Sequence, residues 1–272
     1  MVEARLAAVN AHFNPKQVKV TVTDKVALVQ MDPPAKLIFL AKPIIQELNE
    51  VFMQLERDDA VSVVILTGKG NSFATGANIK EIADMDSKKM LTDDYFEREW
   101  WRILPSFRKP FIAAINGMAF GGGLEVAMMA DILVCTANAK LGQPEINLGI
   151  LPGSGGTVRL TQAVGKSKAM EMCLTGEPID ANDALKWGLV SQVYPTAEAM
   201  IQGATTMAKK IASKSQMAAG FTKRAVKQAL EVGETAAIAH ERSLFIAALN
   251  THDKQEGTQA FMKKRKPNFQ DK

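Results

Sequence analysis

The chain has 272 residues and a mass of 29.5 kDa, is 47% hydrophobic and 23% charged, and carries a net charge of +4. That length suffices for a large core, the apolar content argues against disorder, and no apolar run reaches the eighteen or so residues of a membrane span. Two cysteines, Cys135 and Cys173, without C-x-x-C spacing argue against a disulfide framework or a thiolate zinc site.

The charge is unevenly placed. Residues 1–202 sum to −3 and residues 203–272 to +7. A basic end points to an anionic partner (phosphate, nucleic acid or membrane surface) or to a solvated helical face. Residues 1–16 form an N-terminal extension with Glu3, Arg5 and no long apolar run. Neither a secretory signal nor a transit peptide is written there, so the default expectation is a cytoplasmic location.

From Gln17, Val18, Val20 and Val22 alternate on one face, and KVALVQMD follows a Thr-Asp turn, a pattern that predicts a β-hairpin. Between Pro43 and Arg57 the period changes: Ile44, Ile45, Leu48, Val51, Phe52 and Leu55 mark an amphipathic helix with proline in its first turn. The continuous run VSVVILTG (61–68) reads as a buried strand. FIAAING (111–117) and DILVC (131–135) repeat that signal around a helix expected from about Leu124. TVRLTQAVG predicts a helix stopped by Gly165, and LVSQVY (189–194) another strand. Strand signals end there, and alanine- and lysine-rich helices follow. The organisation expected is an α/β core over 17–197 that holds the active site, then a helical region over 198–272.

Several chemistries fail on residue type. His12, His240 and His252 lie away from glycine-rich turns, giving little support for a histidine triad or metal site. Pro152-Gly153-Ser154-Gly155-Gly156 lacks the first glycine of a nucleophile elbow and the lysine of a Walker loop. Read as a dinucleotide fingerprint, its last position would be Val158.

Carboxylates in apolar, glycine-rich surroundings stand out instead. Glu125 follows Gly121-Gly122-Gly123 in a segment apolar on every side, where a buried carboxylate must be paired, hydrogen-bonded or protonated. A glutamate at the positive end of its own helix is the plainer alternative. Glu145 lies twenty residues later among Gly149, Gly153, Gly155 and Gly156, in what also reads as a turn-rich surface loop. Two such groups could divide acid and base roles. FATGANIKEI (73–82), read as a loop after a buried strand, offers backbone amides to an oxyanion or phosphate.

Together SFATGANIKE, KPFIAAINGMAFGGGLEVAMMADI, GQPEINLGILPGSGGTVRLTQAVGKSKAMEMCLTGEPIDANDALKWGLV and FMKKRKPNF resemble the crotonase superfamily, most of all enoyl-CoA hydratases, from about Gln17 to the C-terminus. The resemblance implies an α/β spiral of ββα units with a C-terminal helical trimerisation region, assembled as a homotrimer or a homohexamer. It implies hydration of a 2-enoyl-CoA, a lyase reaction of fatty acid metabolism and β-oxidation. Glu125 and Glu145 would be the catalytic acid/base pair, with an oxyanion hole on the amides of Ala77 and Gly122. Ala77, Asn78, Ile79, Lys80, Gly122 and Gly153 would bind the CoA thioester, with Phe261 and Lys264 reaching CoA on a neighbouring subunit. No metal and no separate cofactor is implied, since coenzyme A is part of the substrate.

Sibling activities remain open at this stage: an enoyl-CoA isomerase, a specialised cyclic dienoyl-CoA hydratase, or an RNA-binding homologue. Against the last, residues 203–230 carry six basic residues without the interleaved aromatics of a stacking platform. The chain departs from the family pattern at Asn78, where aspartate is common, at Leu37-Ile38-Phe39-Leu40, which replaces Leu-Asn-Ala-Leu, and at Lys263 in place of glutamate. These changes bear on CoA contacts and on the shape of the 37–40 loop. Residues 83–104 are expected to shape the acyl pocket, with Trp101 read as core, and they leave the acyl group open.

Overall fold

The computed structural model describes residues 15–92, 95 and 101–272. The N-terminal extension therefore lies outside the described residues, except Pro15 and Lys16, as does most of 93–100. The hairpin forms as expected: β1 (Val18–Thr23) pairs antiparallel with β2 (Val26–Met31). Asp24 and Lys25 make its two-residue turn at φ 50° and 65°, the positive values such a turn requires. Helix α1 (Lys42–Arg57) buries the six predicted apolar residues, and Phe52 meets Phe107 and Phe111 edge-on at centroid distances of 5.0 Å.

The chain then repeats one unit. β3 (Val63–Gly68) and β4 (Ser72–Ala74) lead to α2 (Ile79–Ala83) and α3 (Ser87–Thr92). β5 (Phe111–Ile115) and β6 (Met118–Phe120) lead to α4 (Gly122–Ala127). β7 (Ile132–Thr136) and β8 (Lys140–Gly142) lead through a 3-10 turn (Pro144–Leu148) to α5 (Gly156–Thr175). The short β9 (Ile179–Asp180), α6 (Ala181–Lys186) and β10 (Gln192–Tyr194) complete this part.

The strands of each unit separate into two sheets. One runs β1-β2-β3-β5-β7-β10 and the other β4-β6-β8-β9, so the chain crosses between sheets once per unit and winds as a spiral. Crossing is tight at Gly68 and Gly117, where an added Cβ would lie 2.0 Å from the backbone oxygen of Ser72 and of Asn71 respectively. β3 is buried at every position, as its unbroken apolar run requires between layers.

Four helices follow: α7 (Ala197–Ala212), α8 (Gln216–Ala229), α9 (Glu234–Leu249) and α10 (His252–Met262). α7 lays Met200, Ala204, Ala208 and Ala212 on Val63, Ile65, Ile112 and Val134 of the six-stranded sheet. Buried Lys223 of α8 anchors the next helix by an ion pair to Asp131 at 2.7 Å and a hydrogen bond to the Lys109 carbonyl at 2.8 Å. Asp253 of α10 accepts the amides of Gln270 and Asp271, tying down the C-terminal tail.

Two sequence expectations need correction. Residues 73 and 74, read as the start of the 73–82 loop, belong to β4: both are fully buried, and Ser72 and Ala74 pair with β6. The strand at 189–194 shortens to three residues, with Leu189 and Val190 buried before it. Gly165 stops the helix as expected, at the non-helical φ 78°, ψ 164°, and a second helix follows directly across the kink to Thr175. Trp101 is core, as read.

Candidate active site

Glu125 sits in the first turn of α4 and is only 3% exposed. Its Oε1 accepts the amides of Ser154 at 2.7 Å and Gly156 at 2.8 Å. These two amides at the start of α5 supply the hydrogen bonds a buried carboxylate needs. An added Cβ at Gly156 would lie 2.8 Å from that same oxygen and 2.6 Å from Pro152, so only glycine fits there. Burial raises the Glu125 pKa, while the two amides and the Arg159 guanidinium pull it down.

Glu145 occupies the half-buried 3-10 turn, not a free surface loop. Its carboxyl backs onto Gly121, where an added Cβ would approach Oε1 to 3.0 Å. Burial, reinforced by the Glu125 charge and offset by its own amide, raises its pKa to about 7. The two glutamates thus sit side by side in unequal settings. Both are desolvated, but Glu125 has two amide donors and a nearby cation to offset burial, whereas at Glu145 a like charge adds to it.

Both line a cavity of about 400 Å³ between α2, α4, the 3-10 turn and the 150–154 segment. Ala77 and Gly122 line it too, and among the described residues neither amide donates to any acceptor. Gly76 brings them together: an added Cβ there would lie 4.0 Å from the Gly122 nitrogen. The opposite wall is apolar, built from Ile79, Ile82, Met85, Met90 and half-exposed Phe39, with Tyr95 beside them. Such a site can hold a polar reacting centre at one end and an apolar group at the other.

The remaining sequence-predicted residues divide. Ile79 and Gly153 line the cavity. Asn78 caps α2, accepting the Lys80 amide at 3.2 Å and donating to Glu81 at 3.1 Å, so this departure from aspartate serves the helix start. Lys80 is exposed, and Phe261 (83% exposed) and Lys264 stand at the end of α10, outside the cavity of their own chain. The altered 37–40 segment is fixed by backbone: the Ile38 carbonyl accepts the Thr75 amide at 2.8 Å, and the Leu40 amide donates to Gly76 at 2.8 Å. Ile38 is core, and Phe39 faces the cavity.

Two participants escaped the sequence reading. Gln143 is fully buried, and with its amide oriented to suit its neighbours its nitrogen donates to both Glu145 oxygens at 3.0 and 3.1 Å. Arg159 of α5 donates to the Ser154 carbonyl at 2.7 Å. A polar residue just before Pro-Glu and a cation three residues into a helix were the only signals, and neither is distinctive in one sequence.

A family profile described as enoyl-CoA hydratase/isomerase matches residues 21–272. The chain belongs to the enoyl-CoA hydratase/isomerase family. It is 43% identical over 246 residues to the mitochondrial enoyl-CoA hydratase of Pongo abelii, covering 90% of this chain and 84% of that protein. It is 40% identical over 245 residues to the 2,3-dehydroadipyl-CoA hydratase of Escherichia coli, covering 90% and 95%. The crystal structure of an enoyl-CoA hydratase from Bacillus anthracis matches with a TM-score of 0.86 and 31% identity, over 94% of this chain and all of that one. The crotonase-type α/β fold with a helical C-terminal region, expected from the motifs, is the fold found.

Proposed function

We propose that this protein is an enoyl-CoA hydratase that adds water reversibly across the C2=C3 bond of a 2-enoyl-CoA. The observation that carries the reading is the pair Glu125 and Glu145, unequal in environment, in one cavity beside two amides that have no partner among the described residues. Glu125, the carboxylate held by two backbone amides, takes a proton from water as its oxygen attacks C3. Electrons move through the double bond onto the thioester oxygen, where the Ala77 and Gly122 amides stabilise the enolate-like charge. Each such donor is worth about 3 kcal/mol of barrier. Glu145, protonated near neutral pH, then delivers its proton to C2. Dehydration runs the same steps backward. No cofactor enters this chemistry, coenzyme A being part of the substrate.

CoA would lie along residues 77–80, with Lys80 near its phosphates and Gly153 near the thioester. The chain would act as a homotrimer or a dimer of trimers, which lets Phe261 and Lys264 of one subunit reach CoA bound to the next. α9 supports assembly: its apolar residues are not confined to one face, and Phe245 and Ile246 are 63% and 61% exposed.

The deciding experiment follows enoyl thioester absorbance with crotonyl-CoA and with longer and cyclic enoyl-CoAs. Wild type should consume at least one of them, and Glu125→Gln and Glu145→Gln should each lose most of that rate. Full activity in either variant, or no hydration by wild type, would overturn the reading.

A further inference from the structure

The loop that holds Glu125 is itself held by a single side chain. Arg159, half-buried on the first turn of α5, reaches back to donate from Nη1 to the Ser154 carbonyl at 2.7 Å. Its guanidinium comes up against Gly155 by the Nη1 end, where an added Cβ would lie 2.1 Å from Nη1. The amides on either side of that glycine, Ser154 and Gly156, are the two that bind Glu125. Resting on the hydratase reading above, we infer that Arg159 is a positioning residue that fixes the 153–156 loop on Glu125 and keeps Glu125 the basic member of the pair.

The charges around Glu125 allow this assignment. From α5 it faces Arg159 and the Cys173 thiol, whose own pKa is raised by burial and by both glutamates. From the 3-10 turn it faces Glu145. β4 and β6, which pack on its remaining sides, contain no titratable residue. Arg159 is thus the one cation acting on Glu125 among the described residues, and with the two amides it opposes the effect of burial. A cation that favours only one of two adjacent carboxylates separates their protonation states, which a reaction needing one acid and one base requires.

The test compares wild type, Arg159→Gln and Arg159→Lys by the pH dependence of kcat/KM with crotonyl-CoA, each checked by thermal melting. Glutamine keeps a donor for Ser154 without the charge, and lysine keeps the charge without the fork. Loss of the cation lets Glu125 take up its proton at higher pH. The acid limb should therefore rise by about one pH unit in Arg159→Gln, at the low end of what a nearby opposite charge imposes. Arg159→Lys should return it toward wild type, and the alkaline limb should move less in both. Should the glutamine variant fail to fold, Arg159→Met carries the same comparison.

A wild-type acid limb in a folded neutral variant, whatever its rate, would overturn the inference while leaving the hydratase reading intact. Absent hydration by wild type, or full activity in Glu125→Gln, would remove the reading and the inference together.

Discussion

At the scale of single residues, the site depends on what each carboxyl is allowed to touch. Glu145 needs its proton to act as the acid, so hydration measured as kcat/KM should fall as pH rises through about 7. The same shift has a consequence for stability. A carboxyl whose folded pKa is raised from 4.5 to about 7 favours the folded state below the lower value, and that contribution is lost as pH rises through the higher one. Glu145→Gln, neutral throughout, should melt above wild type at pH 8 and lose that advantage near pH 4, while its hydration rate falls by about 10²–10⁴-fold. Gly156→Ala should be as damaging to activity as loss of Glu125, since the added methyl occupies the carboxylate's place. A crystal structure of that variant with Glu125 unmoved would contradict this.

At the scale of elements, legibility followed burial. The amphipathic stripe of α1 and the unbroken apolar run of β3 announce themselves because packing on one side or both dictates residue type at every position. β4 was missed because three residues are too few to show a period, and its pairing with β6 is set by distant chain. Glu125 could be singled out as a charge in an apolar helix, yet Gln143 and Arg159 could not, because their roles lie in tertiary contacts. The break in α5 was visible as Gly165 but its continuation was not. That glycine stands at φ 78°, ψ 164°, a conformation open essentially to glycine alone. Gly165→Ala should cost about 1–3 kcal/mol, read as a fall of roughly 2–4 °C in Tm for each kcal/mol.

At the scale of the whole molecule, the positive charge that the sequence concentrates after residue 203 has several uses. Lys223 is buried in an ion pair with Asp131, and Arg265 is bound to Glu256, so neither is free to meet a ligand. Lys264 is exposed at the end of α10, and on the proposed assembly it meets CoA of another subunit. Lys264→Ala should then raise KM for crotonyl-CoA several-fold with kcat little changed, and sedimentation should report a trimer or hexamer. A monomer with full activity would exclude the shared site. The cavity's two walls differ in a way that bears on how such a protein diverges. The donors proposed to hold the thioester oxygen are main-chain N–H groups of Ala77 and Gly122, which no replacement but proline deletes. Facing them, Ile82, Met85 and Met90 are ordinary apolar side chains that can be exchanged for others of different bulk. Acyl preference can therefore drift by point mutation on one wall while the oxyanion donors, written in backbone on the other, are inherited unchanged.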